Sequence, residues 1–340
     1  MTKAFIAGCA GETLSADERA FFARERPWGL ILFSRNCTSS ERIRALVDDF
    51  RSVVGVSNAP VLIDQEGGRV RRLRPPLVED YPAGAVYGRL FAASREAGRR
   101  AAHLGGRLIG ADLAGLGITV DCAPILDVPT PLTSQAIGDR AYGPDADTVT
   151  EVGRAFAEGL MTSGVLPVVK HMPGHGRARV DSHYELPVVD ADPAALEAVD
   201  FAPFRALADL PMGMTAHVVF TGLDPDCCAT QSRRVIDGIV RGQIGFDGLL
   251  MSDDLSMRAL GGAVHDRVAR LFDAGCDMAL HCNGDMDEMI EVAGASPVLA
   301  GEGERRAQAA LAAWRPGLPF DRAEARAEYE ALLAEAAALS

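Results

Sequence analysis

Apolar residues along this 340-residue chain gather in short runs, and the stretches between the runs repeat with helical spacing. The short runs predict strands at residues 4–7, 29–33, 60–63, 118–122, 166–170, 212–216, 249–252 and 278–281. Helices are predicted over 40–51, 95–116, 148–163, 194–208, 232–241 and 267–274, and over the Ala/Glu/Arg-rich stretches 302–314 and 322–338. Strand–helix alternation calls for a parallel sheet with right-handed crossovers. Eight strands suit a single TIM-like (β/α)8 barrel, with a doubly wound sheet as the alternative. Gly8-Cys9-Ala10-Gly11, after the first strand, is a poor match to the phosphate-binding fingerprint that a nucleotide-binding sheet would carry there. Neither a Pro/Ser/Gly linker nor a repeat divides the chain. Residues 1–340 are therefore expected to form one domain, with the helices of about 302–338 packed on the barrel.

Composition narrows the partners. Lys and Arg number 34 against 47 Asp and Glu, a formal charge of −13, so a nucleic-acid partner is not expected. No apolar run approaches transmembrane length, and no membrane partner is expected. The brief apolar N-terminus reads as a first strand rather than a signal segment. Seven cysteines follow no regular spacing and form no CxxC pair. Free thiols in a reducing cytoplasm are expected, and a structural zinc site has no support.

The candidate chemistry sits where strands end. Its densest stretch is Lys170-His171-Met172-Pro173-Gly174-His175-Gly176, followed by Asp181-Ser182-His183. His171 and His175 have the spacing of a zinc helix, but Pro173-Gly174 between them forbids a shared helical face. Asp181 and His183 are two apart. In an extended segment they point the same way, and the carboxylate can orient the imidazole as a general acid/base. An Asx-type turn with a surface histidine is the alternative. Asp253 and Asp254 close the strand at 249–252. One can face the barrel axis as a nucleophile while the other caps the next turn.

Asp64 opens a loop ending in Arg71-Arg72, which could grip a polyhydroxylated ligand or form only a salt-bridged loop. Arg140 lies in a polar loop and could bind an anion or simply face water. Asp121, Asp127, His217 and His281 are each as compatible with a structural role as with ligand binding. A parallel barrel would bring Asp64, Asp121, Lys170, His171, His217, Asp253 and His281 around one mouth.

These stretches resemble bacterial β-N-acetylhexosaminidases of glycoside hydrolase family 3, the cytoplasmic enzymes of peptidoglycan recycling. The matching segments are GLILFSRN (29–36), IDQEGGRVRRLR (63–74), IGDRAYG (137–143), KHMPGHG (170–176), DSHYELP (181–187), TAHVVF (215–220), IGFDGLLMSDDLSM (244–257) and AGCDMALHCNG (274–284). Residues beyond about 300 carry no such motif.

The resemblance implies a metal- and cofactor-free barrel that removes terminal N-acetylglucosamine from peptidoglycan fragments with a 1,6-anhydro-muramic acid aglycone, with or without peptide. It implies retention through a covalent glycosyl-enzyme. By position, Asp253 would be the nucleophile, and Asp181 and His183 the acid/base dyad on a mobile loop. Asp64, Arg72, Arg140, Lys170 and His171 would hold the sugar. The expected partner is thus a small carbohydrate, and the expected state a monomer or weak dimer.

Most retaining glycosidases use two carboxylates about 5–5.5 Å apart. Here a histidine would replace the second. Neutral, it does not repel an anionic substrate; protonated, it can donate to the glycosidic oxygen. Arg177 and Arg179 depart from the small residues usual in that loop, and Cys227-Cys228 from a Pro-Ala type sequence. The rival readings are a β-glucosidase or β-xylosidase of the same superfamily, which usually carries a second domain, and a non-catalytic sugar-binding barrel.

Overall fold

The computed structural model describes residues 1–182, 184–257 and 260–338. Each predicted strand is present: β1 (Lys3–Gly8), β2 (Pro27–Leu32), β3 (Val61–Ile63), β4 (Val120–Asp121), β5 (Leu166–Met172), β6 (Met212–Thr215), β7 (Leu249–Met251) and β8 (Ala279–His281). They pair in parallel in the order β7-β6-β5-β4-β3-β2-β1-β8. A parallel bridge from Met251 to Met278 brings β7 to β8 and closes the ring. Each strand thus neighbours the next in sequence. That is a TIM-like (β/α)8 barrel, without the reversal of strand order that defines a doubly wound sheet.

Side-chain alternation along the strands sorts the core into two layers. Ile6, Leu62, Val120, Val168, Met214, Leu249, Met251 and Leu280 pack with one another in one cluster. Phe5, Ala7, Leu30, Ile63, Val169, Leu250 and Ala279 join the helices in the other. Ala307 and Ala310 of the helix Gly301–Ala313 belong to the first cluster. The helix Arg322–Ala338 packs on Gly84–Ala93 and Arg95–Ala114, where the Tyr87 and Tyr329 hydroxyls meet at 2.6 Å. Gly105 makes this contact possible: a Cβ there would lie 2.4 Å from the Tyr87 hydroxyl.

The helices depart from expectation in two ways. The helix predicted over 194–208 is broken into Pro193–Ala195, a wide turn Leu196–Asp200 and Ala202–Ala206. The Phe201 N–H reaches back five residues to the Leu196 carbonyl, and Pro203, which has no N–H to give, stands in the first turn of the helix that follows. The helices Ala16–Glu25, Gly84–Ala93 and Met286–Ala295 were not predicted. Among the described residues, no helix is long and apolar enough to cross a membrane. All seven cysteines are free.

Candidate active site

The C-terminal ends of the strands open into a cavity of about 310 Å³. Of the predicted site residues, Asp64, Arg72, Arg140, Lys170, His171, Asp181 and Asp253 line it, together with His175, Ser182 and Asp254. His183 lies outside the described residues. Asp121, His217 and His281 lie at the same end but are fully buried and do not line the cavity.

The cavity wall holds an ionic cluster. Lys170, 2% exposed, places Nζ 2.9 Å from Asp64 Oδ1 and 2.7 Å from Glu66 Oε1. Arg72 donates to Asp64 Oδ2 at 2.9 Å. Arg140 grips Glu66 through both carboxylate oxygens, at 2.9 and 2.7 Å. Burial raises the Asp64 carboxyl, but Lys170 and Arg72 outweigh it and hold the group well below the usual range. Arg140 and Lys170 do the same for Glu66. Burial would strip the proton from Lys170, but Asp64 and Glu66 outweigh it and raise the ammonium above its ordinary value. Three cations against two carboxylates therefore stay ionised, each paired through good geometry, which is what lets buried charge persist.

Glu66 was not singled out from the sequence. A signal existed: it stands two residues from Asp64 in an extended segment, Gln65–Gly67, so both carboxylates can face the same way.

Under this cluster lies Asp121. Its Oδ1 accepts the Gln65 N–H at 2.9 Å, and Oδ2 has no partner. Burial, against the Gln65 N–H and Lys170 and with Asp64 and Glu66, pushes its carboxyl up to about 8. The carboxyl thus keeps its proton well above the ordinary carboxylate range.

A second carboxylate organises the histidines. Asp127, fully buried, meets His171 Nδ1 with Oδ2 at 2.7 Å and accepts the His175 amide on Oδ1 at 2.6 Å. Burial raises its carboxyl, but His171 and His175 outweigh it and hold the group below its ordinary value. The β5 register shifts between Val169 and Met172, so both Lys170 and His171 line the cavity.

Asp253 follows β7. Its Oδ1 accepts the Asp254 amide at 2.8 Å. Burial raises this carboxyl, but His171, His217, the Asp254 N–H and Lys170 together hold it below the ordinary value. The Asp254 carboxylate turns the other way, to the Ser256 N–H at 3.0 Å, the Ser256 hydroxyl at 2.6 Å and the Cys282 N–H at 3.1 Å. His281 pairs with Glu288 at 2.8 Å.

Asp181 lines the cavity where its loop begins. Its carbonyl accepts the N–H groups of Tyr184 at 3.0 Å and Glu185 at 3.1 Å, a turn stabilised by local hydrogen bonds. The pairing of Asp181 with His183 lies outside the described residues. Upstream, Arg177 binds the buried Asp200 at 2.7 Å. Arg179 is exposed. No group of three or more His, Cys, Asp or Glu among the described residues is placed to hold a metal ion.

The arrangement offers the Asp253 carboxylate in one cavity with a cation-rich, hydrogen-bonding wall at a barrel mouth. The sequence profile of the glycosyl hydrolase family 3 N-terminal domain matches residues 10–307. The chain belongs to glycosyl hydrolase family 3. It is a glycoside hydrolase.

Among curated relatives in this family, a beta-hexosaminidase of Alkalilimnicola ehrlichii is 39% identical over 282 residues, covering 81% of this chain and 79% of its own. One from Methylococcus capsulatus is 40% identical over 279 residues, covering 80% of each. The fold is similar to that of NagZ from Neisseria gonorrhoeae, solved in complex with N-trifluoroacetyl-D-glucosamine. That comparison gives a TM-score of 0.85 and 28% identity, over 99% of this chain and 98% of that one.

Proposed function

We propose that this enzyme is a retaining, exo-acting β-N-acetylhexosaminidase. The observation that carries the reading is the placement of Asp253. It is a half-buried carboxylate held ionised by its neighbours, in one cavity with Lys170, Arg72, Arg140 and the Asp181 loop. The beta-hexosaminidase relatives and the sugar-bound neighbour support the same substrate class.

In this reading the terminal N-acetylglucosamine enters the cavity. Asp64, Arg72, Arg140, Lys170 and His171 hold its hydroxyl and acetamido groups. Asp253 attacks the anomeric carbon with Oδ2, while Oδ1 keeps the Asp254 N–H. The bond to the aglycone oxygen breaks, and His183, oriented by Asp181, gives that oxygen its proton. His183, now neutral, takes a proton from water; the hydroxide adds to the anomeric carbon and frees Asp253. Two inversions give net retention. His171 stays fixed by Asp127 throughout.

The natural substrate we propose is the peptidoglycan fragment GlcNAc-1,6-anhydro-MurNAc, with or without its peptide, hydrolysed in the cytoplasm. This rests on the resemblance of the KHMPGHG, DSH and SDDLSM motifs, and the seven free cysteines fit a reducing compartment. Turnover of an aryl β-N-acetylglucosaminide against the matching aryl β-glucoside tests the sugar assignment. Strong preference for the first is expected. Preference for the glucoside would favour the β-glucosidase reading, and turnover of neither would contradict the sugar assignment.

A further inference from the structure

His175 shares the cavity but has no part in the steps above. It is 2% exposed, and its Nε2 lies 3.3 Å from the Ser182 hydroxyl. Ser182 stands between Asp181 and His183 in sequence, and it is the first residue beyond Ala178 to be buried again. We infer that His175 is a positioning residue for the acid/base loop. It holds Ser182, while Asp127 ties the same histidine to the sugar-facing His171. The inference rests on the proposed acid/base role of Asp181 and His183.

The contacts on either side of His175 explain why it can serve as an anchor. Its amide is fixed on Asp127 Oδ1 at 2.6 Å, and the other Asp127 oxygen holds His171 Nδ1 at 2.7 Å. The next residues are pinned to the preceding loop. The Gly176 carbonyl accepts the Thr133 hydroxyl, and the Ala178 carbonyl accepts the Ser134 N–H at 2.8 Å. Gly176 presses so close to the Val128 carbonyl that a Cβ would lie 1.9 Å from its oxygen. The chain leaves this rigid base at Arg179 and returns to it at Ser182. Burial pulls the His175 imidazole down to about 4, so the ring is neutral over the range in which the enzyme would work. One carboxylate, Asp127, thereby connects the sugar-holding His171 to the segment that must deliver the proton.

A residue acting only through proton delivery has a distinctive signature. Its loss matters when the leaving group is poor and little when the leaving group departs unaided. Ser182→Ala removes the hydroxyl and leaves His175, Asp181 and His183 in the chain. We expect kcat on a GlcNAc-containing disaccharide to fall at least about tenfold. The phenol burst from a dinitrophenyl β-N-acetylglucosaminide should stay within about twofold of wild type, as should inhibition by N-acetylglucosamine. His175→Asn should show the same split, and the double variant should be no worse than the weaker single variant, since either change removes the one contact. Ser182→Thr, which keeps a hydroxyl, should recover most of the disaccharide activity.

His183→Ala, measured alongside, separates the two ideas. If His183→Ala shows the leaving-group split and Ser182→Ala does not, the positioning role is overturned and the acid/base reading stands. If His183→Ala shows no split, the acid/base reading falls, and the inference with it. Equal losses on both substrates for Ser182→Ala and His175→Asn would mark a general structural role and also overturn it.

Discussion

The backbone amide of Asp254 donates to Oδ1 of Asp253 at 2.8 Å. Asp254 is itself immobilised: its carbonyl accepts His217 Nε2–H at 3.1 Å, and its carboxylate takes three further donors from Ser256 and Cys282. His217 is in turn fixed by Thr230 at 2.7 Å. The adjacent carboxylates therefore divide the work: one faces the cavity and the other aims it. Asp254→Asn keeps one acceptor oxygen and should lower kcat/KM by about ten- to a hundredfold, the worth of roughly 1–3 kcal/mol in disturbed buried hydrogen bonds. Asp253→Ala should lose far more while still binding N-acetylglucosamine. Comparable losses in the two variants would contradict this division.

Lys170 joins the two halves of the ionic cluster. Lys170→Ala would leave Asp64 and Glu66 facing each other in a buried site with only Arg72 and Arg140 to hold them apart. Removing one member of a buried ionic group costs about 3–5 kcal/mol. Denaturant unfolding should show a loss of that order, and inhibition by N-acetylglucosamine should weaken as well. An unchanged unfolding midpoint with unchanged inhibition would remove Lys170 from both roles.

The dyad predicts a step-dependent defect. His183→Ala should be slow on a disaccharide whose sugar alkoxide needs a proton. On an aryl glycoside with an acidic phenol it should form the glycosyl-enzyme well and then stall, giving a burst. Azide, which needs no general base, should restore turnover. Asp181→Asn should give a milder form of the same behaviour. Equal impairment on good and poor leaving groups, without a burst, would exclude His183 as the acid/base.

Asp121 gives a pH dependence of stability with a definite sign. Its carboxyl is pushed up to about 8 in the folded chain, against an ordinary value of 3.8. Between these values the folded protein holds a proton that the unfolded chain has released. This contribution is fully present below about pH 4 and is lost as pH rises through 8. Asp121→Asn cannot ionise, so its stability relative to wild type should increase from pH 5 to pH 9, by an amount on the order of a few kcal/mol. A difference that does not change with pH would show that Asp121 titrates normally.

The barrel was legible because its strands are apolar on both faces. All eight strands appear as short apolar runs, and their positions alone order the sheet. The missed helix Gly84–Ala93 is rich in Gly and Ala and carries little amphipathic pattern. Ala16–Glu25 could have been found from Ser15 and Glu18, which form a reciprocal capping box at its start. In the site, Asp64, Lys170, His171 and Asp253 were readable from their positions at strand ends. Asp127 was visible beside its strand, but its role was not legible, because it reaches residues 44 and 48 positions away and no local spacing encodes that contact. At Asp181 the sequence left an extended pair and an Asx-type turn both open, because a short polar segment carries no periodicity to choose between the two.

The central claim is that Asp253 becomes covalently glycosylated. Incubation with a fluorinated, slowly turned-over N-acetylglucosaminide, followed by proteolysis and mass spectrometry, tests it most directly. One sugar adduct should appear on the peptide spanning residues 251–257, at Asp253, and Asp253→Ala should acquire none. An adduct on another residue, or full turnover in Asp253→Ala, would contradict the account.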